Sequence, residues 1–266
     1  MYMSKNITFQ EIVKGGEDRS NWSINIYPFG YISPYVSYFF ARFLPFTPNQ
    51  ISFLWGIIGL IGIFVMSLGG YRYLLAGILI YHLAILLDYV DGQIARATKN
   101  TTIGGSYLDT FFSWINRSLL LLALGVGLYR TDGNIIYFYL GLIAGFFFFL
   151  DNFAKLKVYE CFINEKRYDL IKKRVGEVYE SGKRISRGGI TSKIKVFTAE
   201  MLRPFAPFSL LFFSILFDVS QYYLILMAII IPIFFIKNFI EIYQKIGNIP
   251  TYKYLNIFFL FAPWWF

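Results

Sequence analysis

Long apolar stretches separated by short polar turns recur along most of the chain. Several are long enough for a helix to cross the hydrocarbon core of a bilayer, which takes about 20 residues for roughly 30 Å. The apolar residues run continuously instead of alternating, so the pattern favours helices over the strands of a membrane barrel. The chain is therefore predicted to be an all-α, polytopic membrane protein with six transmembrane helices, at residues 49–70, 71–96, 106–129, 134–156, 204–217 and 221–242.

The N-terminal 48 residues do not form a membrane span in this pattern. The first 21 or so mix charged residues with glycine and lack the apolar centre of a signal peptide, which predicts a cytoplasmic tail. Residues 32–44 are aromatic and aliphatic but are broken by Ser, Pro and Arg42 and are too short to span. We expect them to form an interfacial amphipathic helix on the membrane surface.

The remaining organisation follows from the spans and the charges between them. Residues 49–157 hold the first four transmembrane helices, and residues 204–245 hold the last two. Between them lies a basic polar loop, 158–203, and the C-terminal residues 246–266 form a tail rich in Phe and Trp. The positive-inside rule places this loop and both termini in the cytoplasm.

Composition supports a membrane protein and narrows its partners. The chain is 56% hydrophobic and 21% aromatic, with a mean hydropathy of +0.52, which is high for a soluble domain. Lys and Arg outnumber Asp and Glu by 25 to 16. In a membrane chain this excess is typical of basic loops that set the orientation in the membrane, and it indicates anionic lipids as partners. It does not indicate nucleic acid as a partner. The single cysteine, Cys161, excludes an internal disulfide.

Three aspartates occur within or beside the apolar sequence. Asp88 and Asp91 are three residues apart in the last turns of the second span, and Asp109 lies in the first turns of the third. An aspartate inside a span costs about 2.5 to 3.5 kcal/mol on insertion scales, so three near one membrane face indicate a function. Clustered oxygen ligands favour Mg²⁺ or Mn²⁺, with Ca²⁺ as an alternative. The structural alternative is that Asp88 and Asp91 are hydrated at the interface or pair with Arg96.

The spacing of these acids belongs to a longer pattern, Asp-x2-Asp-Gly-x2-Ala-Arg-x8-Gly-x3-Asp. It resembles the signature of the CDP-alcohol phosphotransferase family, and the resemblance extends from about Thr47 to Arg117. By this resemblance, Asp88, Asp91 and Asp109 are metal ligands. The resemblance also implies a cytidine diphosphate site formed by Gly92, Ala95, Arg96 and Gly105. A glycine at a helix start is an equally good explanation of Gly105.

The resemblance implies a membrane transferase. Such an enzyme moves a substituted phosphate group from a CDP-alcohol to an acceptor hydroxyl and releases CMP, in the synthesis of phospholipids or related phosphodiesters. It also implies a homodimer. A catalytically silent relative that binds a nucleotide or a partner protein is the main alternative, and a carrier or channel that uses intramembrane acids is a third.

One position departs from the family pattern. Four residues after Asp109 the family has a fourth aspartate, a metal ligand and the proposed general base, where this chain has Ser113. A hydroxyl is a poor base at neutral pH, so Ser113 alone does not complete the catalytic set with Asp109. Asp151 in the fourth span is the candidate replacement base, with an ion pair to Lys155 as the structural alternative. Asn116 lies on the same helical face as Asp109 and can offer a carbonyl to a metal.

Overall fold

A computed structural model describes residues 7–20, 28–44, 46–164 and 210–247 of the chain. Within these ranges every regular element is an α-helix, which confirms the predicted all-α fold. The helices are α1 (Phe9–Ser20), α2 (Pro28–Phe43), α3 (Pro48–Ser67), α4 (Tyr71–Ala97), α5 (Ile103–Asp132), α6 (Ile135–Asn164), α7 (Leu210–Leu216) and α8 (Ser220–Gly247).

Five helices in the described part of the chain are long and apolar enough to cross a membrane. These stretches are Pro48–Ser67, Tyr71–Ala97, Ile103–Asp132, Ile135–Lys157 and Ser220–Gln244. They correspond to predicted spans one to four and six, so the prediction of a polytopic membrane protein is confirmed. The predicted fifth span, 204–217, is described only from Leu210, where it forms the short α7. The total of six stays a prediction.

Several boundaries differ from the sequence prediction by a few residues, and two of these differences bear on the site and the basic loop. The third span begins three residues early, because the Thr102 side chain accepts a hydrogen bond from the backbone N–H of Gly105 and caps α5 there. Helix α6 continues to Asn164, so the first residues of the predicted basic loop are helical. The rest of that loop, from residue 165, and the aromatic tail after Gly247 lie outside the described residues.

The N-terminal tail contains a helix that the sequence analysis did not predict. Helix α1 begins with a capping box, in which the backbone N–H of Thr8 donates to Glu11 Oε2 at 2.8 Å and the N–H of Glu11 donates to Thr8 Oγ1 at 3.3 Å. The same hydrogen bonds hold the pKa of the Glu11 carboxyl below its usual value. Ile12 is fully buried against α2 and α4. The segment is therefore a docked helix over Phe9–Ser20.

The predicted interfacial segment is helical, and its helix begins at Pro28, four residues before the predicted start. Helix α2 buries Ser33, Ser37 and Ala41, which are spaced four residues apart on one face. Several of its large aromatic side chains, among them Tyr35 and Phe39, are exposed. This combination suits a helix that rests on a membrane surface, and that location stays a prediction.

Helix α3 is the centre of the arrangement. It packs against α4 and α5, α5 packs in turn against α6, and α6 packs against α8. Helices α4 and α5 make little direct contact with each other, although a short turn joins them. Their ends near residues 88 to 109 are therefore held side by side by α3, with a gap between them.

Glycines let these helices approach closely. A Cβ on Gly77 would lie 2.6 Å from the carbonyl oxygen of Gly62, and a Cβ on Gly125 would lie 2.4 Å from that of Tyr137 and 2.8 Å from Cα of Gly141. Small residues at such crossings are typical of membrane helix pairs, whose association depends on close packing.

Gly125→Ala is therefore expected to destabilise the protein. The added methyl group meets backbone atoms of α6, which cannot rotate away, and overpacking of this kind costs about 1 to 3 kcal/mol. We expect a lower thermal unfolding midpoint in detergent. Gly104→Ala is the control, because no atom lies within 4 Å of a Cβ there. Equal midpoints for the two variants would contradict the described α5–α6 contact.

Candidate active site

The three predicted acids come together where the last turns of α4 face the first turns of α5. The side chains of Asp88 and Asp109 lie within hydrogen-bonding distance of each other, and Asp91 and Arg117 lie within electrostatic reach of Asp88. Asp88 and Asp109 are half-buried, and Asp91 is 6% exposed. The gap between α4 and α5 thus contains three carboxylates and at least one guanidinium.

Helix α3 fixes the position of Asp91. Ser52 Oγ donates to Asp91 Oδ2 at 2.5 Å, and Trp55 Nε1 donates to the same oxygen at 3.1 Å. Both donors are buried on the face of α3 that meets α4. Two donors to one carboxylate oxygen fix the orientation of the carboxyl group. Ser52 and Trp55 were not predicted as site residues, although both lie within the range from Thr47 to Arg117 over which the sequence resembles the family.

Gly92 provides room for the guanidinium of Arg96. A Cβ on Gly92 would lie 3.0 Å from Arg96 Nη1 and 3.5 Å from Nη2. The terminal nitrogens of Arg96 therefore lie over the backbone next to Asp91. Ala95 is half-buried beside them. This places a fixed positive charge at the same helix end as the carboxylates, as phosphate binding requires.

Gly105 is the third residue of α5, as expected of a helix-start glycine, and its contacts with α3 give a further reason for the absence of a side chain. A Cβ there would lie 2.6 Å from Asn49 Oδ1, and Thr102 Oγ1 donates to that same oxygen at 3.2 Å. Asn49 is the second residue of α3. The glycine thus lets the start of α5 lie against the start of α3.

Residues 46–164 match the family model described as CDP-alcohol phosphatidyltransferase. This stretch of the chain is a domain of that family. It covers α3 to α6 and contains every residue of the predicted site, while α1 and α2 lie outside it. The comparison with curated proteins gives no match. The family and the long apolar helices together support a membrane transferase in phospholipid synthesis.

The CDP-alcohol phosphatidyltransferase domain has the right donor chemistry for a divalent ion. Three neighbouring carboxyl groups supply the hard oxygen ligands that divalent cations prefer. Among the described residues, no three His, Cys, Asp or Glu side chains converge in the arrangement of a metal site. Ligation by all three aspartates would therefore require their side chains to turn toward a common point.

Ser113 lies on α5 one turn after Asp109 and is half-buried. Arg117 follows after another turn and acts electrostatically on both Asp88 and Tyr81. Arg117 was not identified from the sequence as a site residue. The available signal was that Arg117 lies within an apolar span, two turns after Asp109.

Asn116 contacts α3 through its amide nitrogen. Its Nδ2 donates to the carbonyl oxygen of Gly56 at 3.3 Å, and a Cβ on Gly59 would lie 2.5 Å from Nδ2. The side chain is 1% exposed. Its Oδ1 is buried and has no hydrogen-bond partner among the described residues, so the use of this carbonyl as a metal ligand stays a prediction.

Asp151 lies on α6, which packs on α5 and α8. Its carboxylate forms an ion pair with Lys155 and accepts a hydrogen bond from Asn238 Nδ2 on α8 at 2.9 Å. The ion pair that was the structural alternative is thus present. Asp151 links α6 to α8, and its role as a base in the CDP-alcohol phosphatidyltransferase domain stays a prediction.

Proposed function

We propose that the protein transfers a substituted phosphate group from a CDP-alcohol to an acceptor hydroxyl and releases CMP. The observation that carries this proposal is the placement of Asp88, Asp91 and Asp109 within electrostatic reach of one another, beside Arg96, at one end of the gap between α4 and α5. The family of residues 46–164 supports the same reaction class.

In this reaction the acceptor oxygen forms a bond to the phosphorus that carries the alcohol. The bond between that phosphorus and the bridging oxygen breaks, and the oxygen leaves with CMP. The acceptor proton passes to a base. Positioning and charge neutralisation do most of the catalytic work in phosphoryl transfer, and these are the tasks that the residues of the gap can perform.

Each site residue has a role in this scheme. Asp88, Asp91 and Asp109 would hold the divalent ion, Mg²⁺ or Mn²⁺ by preference, and the bound ion supplies charge neutralisation for the diphosphate. Ser52 and Trp55 keep the Asp91 carboxylate in place. Arg96 holds a phosphate oxygen over Gly92. Ala95 and Gly105 complete the nucleotide site by leaving room at the helix ends.

The proton acceptor is the least defined role. Ser113 can donate or accept one hydrogen bond where the family pattern has a carboxylate. Asp151 is the proposed replacement, and reaching substrate would require release from Lys155 and Asn238. The site and both termini are proposed to face the cytoplasm, and the working unit is proposed to be a homodimer.

The test is CMP formation by the purified full-length protein in lipid nanodiscs. The donors are CDP-diacylglycerol and CDP-linked small alcohols, each with a panel of hydroxyl acceptors and with Mg²⁺ or Mn²⁺. We expect CMP release that needs the divalent ion and that Asp109→Asn abolishes, because the carboxylate charge beside Asp88 is lost. CMP release that is equal in wild type and Asp109→Asn would contradict the assignment of the site.

A catalytically silent nucleotide-binding protein is the second candidate. Ser113 favours it, because this position lacks the carboxylate of the family pattern. Such a protein would bind CDP with a divalent ion but would release no CMP with any donor and acceptor. Binding and turnover measured on the same preparation therefore separate the two candidates.

A further inference from the structure

Helix α1 lies against the end of α4 that carries the proposed nucleotide site. A Cβ on Gly15 would lie 2.9 Å from the carbonyl oxygen of Gln93 and 3.0 Å from the backbone nitrogen of Ala97. A Cβ on Gly16 would meet only the Gln93 side chain, at 3.2 Å. The two glycines thus let the backbone of α1 touch the backbone of α4.

The close approach brings a backbone carbonyl to Arg96. The Nε of Arg96 donates to the carbonyl oxygen of Gly15 at 2.5 Å. The guanidinium is planar, so holding Nε at one edge fixes the direction of the whole group. Its Nη1 and Nη2 then lie over Gly92, beside Asp91. The carbonyl of Gly15 therefore sets the orientation of the charge that the proposed function places on a phosphate.

A buried polar network holds α1, α2 and α4 in this arrangement. Ser37 Oγ donates to Gln93 Oε1 at 2.6 Å, and Gln93 Nε2 donates to Ser33 Oγ at 2.8 Å. Gln93 is 3% exposed and its backbone is the contact surface for Gly15. A fully satisfied buried network of this kind gives one defined geometry. The orientation of Arg96 is thus fixed by two helices that precede the residues matching the family.

We propose that Gly15 is a positioning residue for the phosphate-binding Arg96, so that α1 forms part of the nucleotide site. The inference rests on the proposed function. It assigns α1 a role in binding the diphosphate of a cytidine nucleotide, in place of the tail predicted from the sequence. Gly15 acts only through Arg96 and does not itself contact the substrate.

The test is a double-mutant cycle on the full-length protein, read as the affinity for CDP in the presence of Mg²⁺ by calorimetry. Gly15→Ala pushes the Gly15 carbonyl away from Arg96, because the added methyl group meets backbone atoms on α4. We expect about tenfold weaker binding, which equals about 1.4 kcal/mol, roughly the value of one hydrogen bond to a charged group. In an Arg96→Ala background, Gly15→Ala should cause no further loss.

Two other variants calibrate this result. Lys14→Ala is the control, because Lys14 is exposed on α1 and the substitution leaves the α1–α4 contact intact, so CDP affinity should equal that of wild type. Gly16→Ala displaces α1 less and should weaken binding by a smaller factor. It also carries the test if Gly15→Ala does not fold.

The possible outcomes separate the inference from the proposed function. If Arg96→Ala weakens CDP binding but Gly15→Ala and Gly16→Ala do not, the inference is overturned and the proposed function stands. If the losses from Gly15→Ala and Arg96→Ala add in full, α1 acts through general stability and the inference is also overturned. If wild type binds no CDP, the proposed function fails and the inference fails with it.

Discussion

Asp91→Asn is expected to weaken the binding of both a divalent ion and CDP and to lower CMP release by about 10²- to 10³-fold, the usual cost of removing one electrostatic contact from an active site. The amide oxygen of asparagine can still accept the hydrogen bonds from Ser52 and Trp55. The fold around α3 and α4 should therefore survive. The loss is then due to the missing negative charge, since phosphate oxygens and carboxylates would share one ion's coordination shell.

Calorimetry with Mg²⁺ or Mn²⁺, alone and with CDP, measures this effect. Ser52→Ala is the matched variant, because it removes a donor to Asp91 and leaves the carboxylate charge. It should cause a smaller loss than Asp91→Asn. Metal-dependent CDP affinity that is unchanged in Asp91→Asn would show that Asp91 is not part of the binding site.

The membrane helices and the motif acids could be predicted from the sequence because both depend on local information. A continuous apolar run determines a span by its length. The spacing of Asp88 and Asp91 puts both on one helical face, and the short turn before Asp109 brings the third acid to the same end. The contact between Asp88 and Asp109 agrees with that reasoning.

The features missed from the sequence depend on contacts between distant segments. Ser52 and Trp55 are 39 and 36 residues from Asp91, and no periodicity connects them to it. The role of Gly105 depends on Asn49 in the same way. Helix α1 is different, since the Thr8-x-x-Glu11 capping box is a local signal. It was not predicted because α1 is a polar helix with few buried side chains and lacks the apolar run by which the other helices are recognised.

Ser113→Asp is expected to raise the affinity for a divalent ion, and to raise CMP release if the rest of the site is intact. The new carboxylate would lie on the face of α5 that carries Asp109, one turn away. Restoring a general base typically gains 10²- to 10⁴-fold in rate. Ser113→Asn is the matched control, because it has a similar size and no charge. If Ser113→Asp and Ser113→Asn have the same affinity for Mg²⁺, then Ser113 does not face the carboxylates.

Arg117 and Asp151 limit the gains in metal affinity and in CMP release expected from Ser113→Asp. Arg117 follows position 113 at i+4 and already acts electrostatically on Asp88. A new aspartate at position 113 would therefore interact with Arg117 as well as with a bound ion. Ser113→Asp combined with Arg117→Gln should therefore bind the ion more tightly than Ser113→Asp alone.

Asp151→Asn should lower CMP release in the wild-type background if Asp151 accepts the proton, and should have little effect once Ser113→Asp supplies a nearer carboxylate. If wild type equals Ser113→Asp in rate and Asp151→Asn changes nothing, the proton passes to a different group. Asp151 then serves only to join α6 to α8 through Lys155 and Asn238.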